Sequence, residues 1–167
     1  MALNAYMTLK GQKSGQIKGS CTQKGREDTI VVIASNHEIV SPRDAASGLP
    51  TGKRMHKPFI ITKELDKSSP LLYNVLCLNE NLTEVVIKYW TPQIKAAAGT
   101  GAETQHYTVK LTNANIATIQ FKQLNNRNPE LVRYTEHEEI SFTYQKIEWT
   151  WTDGGVTALD DWESPVV

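Results

Sequence analysis

Histidine is the residue type in this sequence best suited to acid–base or metal chemistry. The chain has four histidines, scattered along its length as His37, His56, His106 and His137. None of them belongs to an HxH or HExxH spacing, which would aim two imidazoles at one ion. A metal pair is conceivable at one position, because on a strand His137 and Glu139 point to the same side. A solvent-facing strand surface is the favoured interpretation there, so the histidines predict no metal site.

Other side chains with binding or catalytic potential also lack the spacing of a known site. The sequence contains neither a Gly-x-Ser-x-Gly elbow nor a phosphate-binding glycine loop. Three acidic residues near a Gly-Gly pair have no EF-hand spacing; they are Asp153, Asp160 and Asp161. Three tryptophans suggest a sugar platform, but core and interface packing is favoured; they are Trp149, Trp151 and Trp162. We therefore expect no enzyme and no cofactor.

Charge and apolar content narrow the class of partner. Lysine plus arginine and aspartate plus glutamate both number 18, so no basic surplus favours nucleic acid or an anionic membrane. The first residues lack the basic and apolar regions of a signal peptide, and no apolar run approaches the roughly 20 residues of a membrane span. We expect synthesis in the cytoplasm and, if the protein is exported, a route without a cleaved signal.

The two cysteines do not indicate a metal or redox motif, because neither belongs to a CxxC pair. The sequence leaves a disulfide between Cys21 and Cys77 possible. The favoured interpretation is a reduced, buried thiol at Cys77, which lies in an apolar helical stretch.

The elements that position these residues are mostly strands, because most of the apolar pattern has a period of two. The segment 29–35 is apolar on both faces, so we expect it to be covered on both sides by its own domain or by a partner. In the last strand the apolar phase switches between Tyr144 and Ile147, as a bulge or a barrel corner would cause. The predicted strands are 6–10, 29–35, 59–65, 84–90, 106–111, 116–122 and 138–151.

One helix is predicted over about 69–80, with Ser69 as N-cap and Pro70 at the first helical position. Its apolar stripe contains Leu71, Leu72, Val75, Leu76 and Cys77. About seven strands and one helix predict a mainly β protein in a single domain of residues 1–167. The predicted architecture is a closed or nearly closed β-barrel of two packed antiparallel sheets, with one flanking α-helix and a long extended loop.

Three segments lie outside this regular pattern. Residues 41–57 are rich in proline, glycine and charge, and a loop of this length in a compact domain is usually functional or disordered. Residues 96–101 are predicted to form a small-residue hairpin tip, and residues 152–167 a C-terminal tail. From pattern alone, the function stays open.

The centre of the sequence resembles the signature of the Hcp (haemolysin-coregulated protein) family of the type VI secretion system. The matching residues are His56, Lys57, Pro58, Phe59, Thr62, Lys63, Asp66, Lys67, Ser68, Ser69, Pro70, Leu71 and Leu72. Further similarity covers 15–21, 27–28, 84–90, 107–111, 140–149 and 160–162. Arg26, where relatives often have histidine, Glu38 and residues 96–101 depart from the family pattern.

The resemblance implies a structural, secreted protein whose hexameric rings stack into a tube. It implies a contractile sheath around the tube, a spike protein at its tip, and small effector proteins carried in the lumen. For ring stacking we single out the loop residues Arg43, Asp44, Leu49, Lys53, Arg54 and His56, and we expect its charged side chains to be exposed. For the lumen we single out Thr29, Val31, Ile33 and Ser35. The alternatives are a monomeric carbohydrate- or protein-binding β module and an enzyme with an unrecognised site.

Overall fold

The computed structural model describes residues 3–92 and 103–163. The predicted hairpin tip at 96–101 lies outside the described residues. In chain order the elements are β1 (Asn4–Gly11), β2 (Gly15–Ile17), β3 (Ile30–Val32), β4 (Ala34–Asn36), β5 (Ile39–Val40), β6 (Met55–His56), β7 (Phe59–Glu64), α1 (Ser69–Cys77), β8 (Leu82–Pro92), β9 (Glu103–Lys122), β10 (His137–Trp151) and β11 (Val156–Asp161).

A nine-stranded antiparallel sheet forms the body of the molecule. Its main path runs β2-β1-β8-β9-β10-β7-β4, while β3 joins through β1 and β11 joins through β10. The other two strands, β5 and β6, form a separate two-stranded sheet. The prediction of a mainly β protein with one helix and two sheets is confirmed.

The short segment from β3 to β4 contacts two distant parts of the sheet path. Tyr6 of β1 pairs with Val31, and Ile61 of β7 pairs with Ser35. Between them, the Ile33 N–H donates to the carbonyl of Thr62 at 2.9 Å. Because so few residues span from β1 to β7, the sheet must curve strongly. The predicted closed barrel is nevertheless not confirmed.

Three long strands bend together across the sheet. The Asn113 backbone has φ 50°, and its side-chain amide donates to the side-chain oxygen Oε1 of Gln145 at 2.8 Å. The predicted phase switch in the last strand is therefore one part of a corner shared by β8, β9 and β10. On each strand the buried positions change parity there, between Leu82 and Val85, Leu111 and Ala114, and Tyr144 and Ile147.

Helix α1 covers one side of the curved sheet. Leu72 and Val75 are buried in the main core, and Leu76 packs partly against it. Leu71 and Cys77 are exposed, so the prediction that they belong to the buried apolar stripe of the helix was wrong. Cys21 and Cys77 are both free thiols, and the buried thiol predicted at Cys77 is corrected by its exposure.

Both ends of α1 differ from the prediction. Ser68 is the N-cap residue and Ser69 is already helical. The Ser69 hydroxyl does not cap the helix but contacts the buried Lys63 and Glu138. At the other end Asn79 adopts φ 50°, and the N–H groups of Asn79 and Glu80 donate to the carbonyls of Leu76 and Val75. This Schellman arrangement ends the helix at Cys77 rather than near 80. In the part of the chain that the structure describes, no helix is long and apolar enough to cross a membrane.

Three predicted segments are more regular than the sequence indicated. The strands expected at 106–111 and 116–122 are one 20-residue strand, β9. The tail from 152 contains β11, which pairs with β10 through a turn where Gly154 and Gly155 have positive φ. The loop 41–57 is mostly a β-hairpin, because β5 pairs with β6 at its base.

Candidate functional site

The segment Ile39–His56, called the extended hairpin below, is closed by its own hydrogen bonds. Ile39 pairs with His56 at the base, and an isolated bridge joins Arg43 to Pro50 near the tip. The Asp44 N–H donates to the Leu49 carbonyl at 2.9 Å. The hairpin is therefore an ordered projection with a defined tip.

The tip leaves apolar and basic side chains exposed. Leu49 is 65% exposed, and Arg43 and Lys53 are also exposed. Asp44 is partly covered, because its carboxylate accepts the Ala46 N–H at 2.7 Å, a bond that lowers its pKa. The stacking role of these four residues stays a prediction.

The base of the extended hairpin is fastened to β11. Arg54 Nη2 donates to Asp160 Oδ1 at 2.7 Å and to the Asp161 carbonyl at 3.1 Å. His56 Nε2 donates to Asp160 Oδ2 at 2.6 Å, and the His56 side chain is only 2% exposed. The expectation that Arg54 is an exposed tip residue was wrong, because the carboxylate of Asp160 holds its guanidinium against the body of the molecule.

A tyrosine hydroxyl extends this cluster into the protein. The buried Tyr144 hydroxyl lies 2.8 Å from His56 Nδ1 and 2.7 Å from His37 Nε2. We call the five side chains of Arg54, His56, Asp160, Tyr144 and His37 the base network. No local sequence pattern predicts this network, because His37 and Tyr144 are 107 positions apart.

The base network sets the charge of its own members. Hydrogen bonds from Arg54 and His56 hold the pKa of Asp160 below its ordinary value, against the effect of burial. Burial and the charge of Asp160 raise the pKa of Tyr144, so its hydroxyl stays protonated. Burial and the neighbouring charge of His56 lower the pKa of His37.

The residues singled out for the lumen fall into two pairs. Val31 and Ile33 are 41% and 55% exposed, which is unusual for β-branched side chains of a sheet. The Thr29 hydroxyl donates to the Arg26 carbonyl at 2.7 Å, and the Ser35 hydroxyl lies 2.8 Å from that of Tyr89. The single chain therefore covers only one face of the 29–35 segment.

The central signature builds a buried ionic cluster rather than a ligand site. Lys63 is fully buried, and its ammonium donates to Asp66 at 3.0 Å, to the Ser69 hydroxyl at 2.9 Å and to the Glu64 carbonyl at 2.9 Å. The same ammonium forms an ion pair with Glu138 at 2.7 Å. The Ser69 hydroxyl donates in turn to Glu138 at 2.8 Å. Burial acts against the Asp66 carboxylate, but hydrogen bonds from Ser68 and Lys63 lower its pKa overall. These bonds join β7, α1 and β10.

The three tryptophans do not form one platform. Trp149 packs against the core, Trp151 stands edge-on to His106 with ring centroids 5.7 Å apart, and Trp162 donates from Nε1 to the Tyr144 carbonyl. Of the other candidates, His137 contacts the Thr135 carbonyl and Glu139 pairs with Lys122. Residues 3–92 and 103–163 contain no cluster of three or more His, Cys, Asp or Glu that could hold a metal ion.

This chain is similar in sequence to proteins of one known family. The family model described as "Type VI secretion system effector, Hcp" matches residues 6–151. A protein of Pseudomonas aeruginosa named "Major exported protein" is 42% identical over 99% of both chains.

Solved structures agree with this result. The "Crystal structure of Hcp protein" has a TM-score of 0.88 at 32% identity and covers 98% of this chain and 100% of its own. The "Secreted protein Hcp3 from Pseudomonas aeruginosa" has a TM-score of 0.77 at 35% identity, with the same two coverages. The chain therefore belongs to the Hcp family of type VI secretion system tube proteins.

Proposed function

We propose that this chain is a structural subunit whose homohexameric rings stack into the secreted inner tube. The lumen of that tube binds or chaperones small effector proteins. The other partners are a spike protein at the tip of the tube and the contractile sheath around it. The protein is made in the cytoplasm and leaves the cell as part of the tube. It acts without a cofactor, without nucleic acid and without stable membrane association.

The observation that carries this proposal is the extended hairpin. In the described parts of the chain, the hydrogen bonds of residues 41–53 stay inside that segment, while Arg54 and His56 fasten its base. An ordered projection with Leu49 exposed at its tip is suited to contact another molecule. Head-to-tail contacts of this kind propagate into an open filament, so the hairpin is a natural link between rings.

Contacts within a ring have a separate basis in the sheet. β11 pairs with β10 along one edge, and in residues 3–92 and 103–163 its other edge has no partner strand. Val156 and Leu159 on this strand are 67% and 57% exposed. An exposed, apolar strand edge favours pairing with another chain. We propose that neighbouring copies cover this edge.

The lumen and the barrel belong to the same proposal. Residues 30–36 pair with both β1 and β7, which supports a nearly closed barrel in which this segment completes the wall. The exposed row of Val31 and Ile33 then faces the lumen, where it offers apolar contacts to an effector.

Negative-stain microscopy of the purified chain tests the proposal. We expect six-fold rings that stack into tubes at high concentration. Replacing residues 42–52 with a Gly-Ser bridge should abolish tubes and secretion while six-subunit rings persist in light scattering. Long tubes from the shortened chain would refute the stacking role, and loss of the rings would place the hairpin between subunits of one ring.

A matched pair of point variants sharpens this experiment. Leu49→Ser changes the hairpin tip, and Val132→Ser changes a side chain of similar exposure, 61% against 65%, in a different loop. Shorter tubes are expected from Leu49→Ser alone. A strict monomer at high concentration would instead favour the monomeric binding module, which the separation of the three tryptophans makes weaker.

A further inference from the structure

We propose that the base network is an acid-sensitive latch, which accepts one proton without a change of geometry and releases the extended hairpin when it takes a second. The device lies within a single chain, and the observation behind it is two histidines that share one tyrosine hydroxyl. Only its consequence for ring stacking rests on the proposed function.

At neutral pH each of the three hydrogen bonds that link Asp160, His56, Tyr144 and His37 has one donor and one acceptor. The Asp160 carboxylate can only accept, so His56 must carry its hydrogen on Nε2 and leave Nδ1 as an acceptor. The Tyr144 hydroxyl donates to that Nδ1, and its oxygen accepts the N–H of His37 Nε2. Two neutral histidines therefore satisfy all three hydrogen bonds.

The base network accommodates a first proton by exchanging donor and acceptor in the two hydrogen bonds of the Tyr144 hydroxyl. When His56 takes it, Nδ1 becomes a donor to the Tyr144 oxygen, while Nε2 still donates to Asp160. The tyrosine hydrogen then turns toward His37 Nε2, provided that His37 carries its own hydrogen on Nδ1. No bond is lost, and the cation of His56 gains a carboxylate partner.

A second proton cannot be accommodated by any such exchange of donors and acceptors. With both imidazoles charged, two N–H groups point at one hydroxyl oxygen, and the tyrosine hydrogen faces only donors. The Tyr144 hydroxyl cannot become an acceptor-only phenolate to compensate, because its pKa is raised. Two like charges around a buried hydroxyl are disfavoured in addition.

The surroundings supply little extra negative charge to offset the two protons. The charges of Arg54 and Asp160 cancel each other. The charges of Glu38 and Lys57 also cancel, because their charged atoms are 2.8 Å apart at the outer edge of the hairpin base. The carboxylate of Asp161 is the remaining anion on β11, and Lys146 is its register partner on β10. The rings of Phe59 and Trp162 cover the other sides of the two histidines; their centroids lie 5.1 Å from His37 and 5.8 Å from His56, respectively.

The sign of the pH effect follows from His37. Its pKa in the closed latch is lowered by burial and by the charge of His56. The open hairpin therefore binds the proton more readily than the closed one, and acid favours opening. Stability of the latch is present above the ordinary histidine pKa of about 6.5 and is lost as the pH falls below it.

Hydrogen exchange on the full chain at pH 7.5 and pH 5.0, corrected for the intrinsic rates, tests the latch. The probes are amides of the extended hairpin and the Lys57 N–H, which donates to the Glu38 carbonyl at 3.1 Å. We expect them to lose about tenfold in protection on acidification while amides of β8 and β9 keep theirs. An unchanged ratio of hairpin to core protection would overturn the proposal.

His37→Gln is the decisive variant, because its amide can still donate to the Tyr144 oxygen but cannot take a proton. It should lose less than about twofold in hairpin protection over the same pH interval, since only one titrating group is left. His137→Gln, an equivalent change outside the base network, should behave like the natural chain. Equal acid loosening in His37→Gln and the natural chain would contradict the latch.

The histidine titrations provide a readout that does not depend on a variant of His37. In nuclear magnetic resonance spectra of the natural chain, we expect the pair of imidazoles around Tyr144 to take up two protons in two separate steps, with His37 protonated below the ordinary histidine pKa. In Tyr144→Phe, which lacks the shared hydroxyl, the steps should move relative to each other. Two independent titrations that Tyr144→Phe leaves unchanged would overturn the proposal, including the case in which His37→Gln is loose at every pH.

Discussion

Two polar clusters in this protein hold neighbouring elements together, but they are built from different chemistry. The cluster around Lys63 is sealed, and neither Lys63 nor Glu138 has any exposed surface. The base network around Tyr144 is only half sealed and contains two histidines. The first joins elements of the main sheet to the helix, whereas the second joins a projection to the sheet. The difference teaches that this chain uses a fully buried ammonium–carboxylate cluster in its body and two histidines in the part that we expect to meet another molecule.

The sealed cluster should be the costlier one to break. Lys63→Met removes the ammonium and leaves the buried carboxylates of Glu138 and Asp66 without their cation. We expect a loss of about 3–5 kcal/mol in the free energy of unfolding, measured with denaturant. Lys122→Met is the control, because its ion pair with Glu139 is about one-third exposed on both sides and should contribute at most about 1 kcal/mol. Equal losses in the two variants would show that Lys63 is not sealed.

The helix next to this cluster supports the same contrast with apolar side chains. Leu72 is fully buried and Leu71 is 46% exposed, although they are adjacent and of the same type. Leu72→Ala should cost about 2–5 kcal/mol because it leaves a cavity. Leu71→Ala serves as the control and should change stability by no more than about 0.5 kcal/mol, and Leu76→Ala should fall between them. Thermal unfolding of the three variants measures the order, and a different order would mean that α1 is rotated.

The base network should give a smaller and more local loss. Asp160→Asn removes the charge that Arg54 and His56 share, and hydrogen bonds to charged groups contribute about 1.5–3 kcal/mol. We expect faster hydrogen exchange in the extended hairpin at pH 7.5, with protection in β8 and β9 unchanged. Asp161→Asn is the control on the same strand, because Arg54 bonds its backbone carbonyl rather than its carboxylate. Loss of protection throughout the sheet would mean that Asp160 is part of the main fold.

The same variant has a pH signature of fixed sign. The pKa of Asp160 is lowered in the folded chain, so its contribution is present above the ordinary value of about 3.9 and is lost as the pH falls through the lowered one. Asp160→Asn should therefore be less sensitive than the natural chain to acid below about pH 4. If both chains lost stability equally as the pH falls below about 4, the ionised Asp160 carboxylate would contribute nothing to the stability of the folded chain.

The sequence predicted those features that depend on local periodicity and missed those that depend on distant pairing. Period-two alternation indicated most strands, and the parity change after Tyr144 located the corner of the sheet. The pair of Lys63 with Glu138 left no such signal, because the two residues become neighbours only through the β7–β10 register. The strand β11 was missed although Gly154 and Gly155 form a recognisable hairpin turn, since its exposed apolar side chains show no alternation.

The smallest expected effect compares two lysines of the same signature. Lys57 pairs with Glu38 at 2.8 Å, as close as Lys63 lies to its own partners, but its side chain is 48% exposed and that of Glu38 is 57% exposed. Because water and salt screen an exposed pair, Lys57→Met should change the free energy of unfolding by no more than about 1 kcal/mol. That difference should shrink further in high salt, whereas the loss in Lys63→Met should not, since no solvent ions reach the sealed cluster. A salt-independent loss of several kcal/mol in Lys57→Met would mean that distance, rather than burial, decides what these lysines contribute.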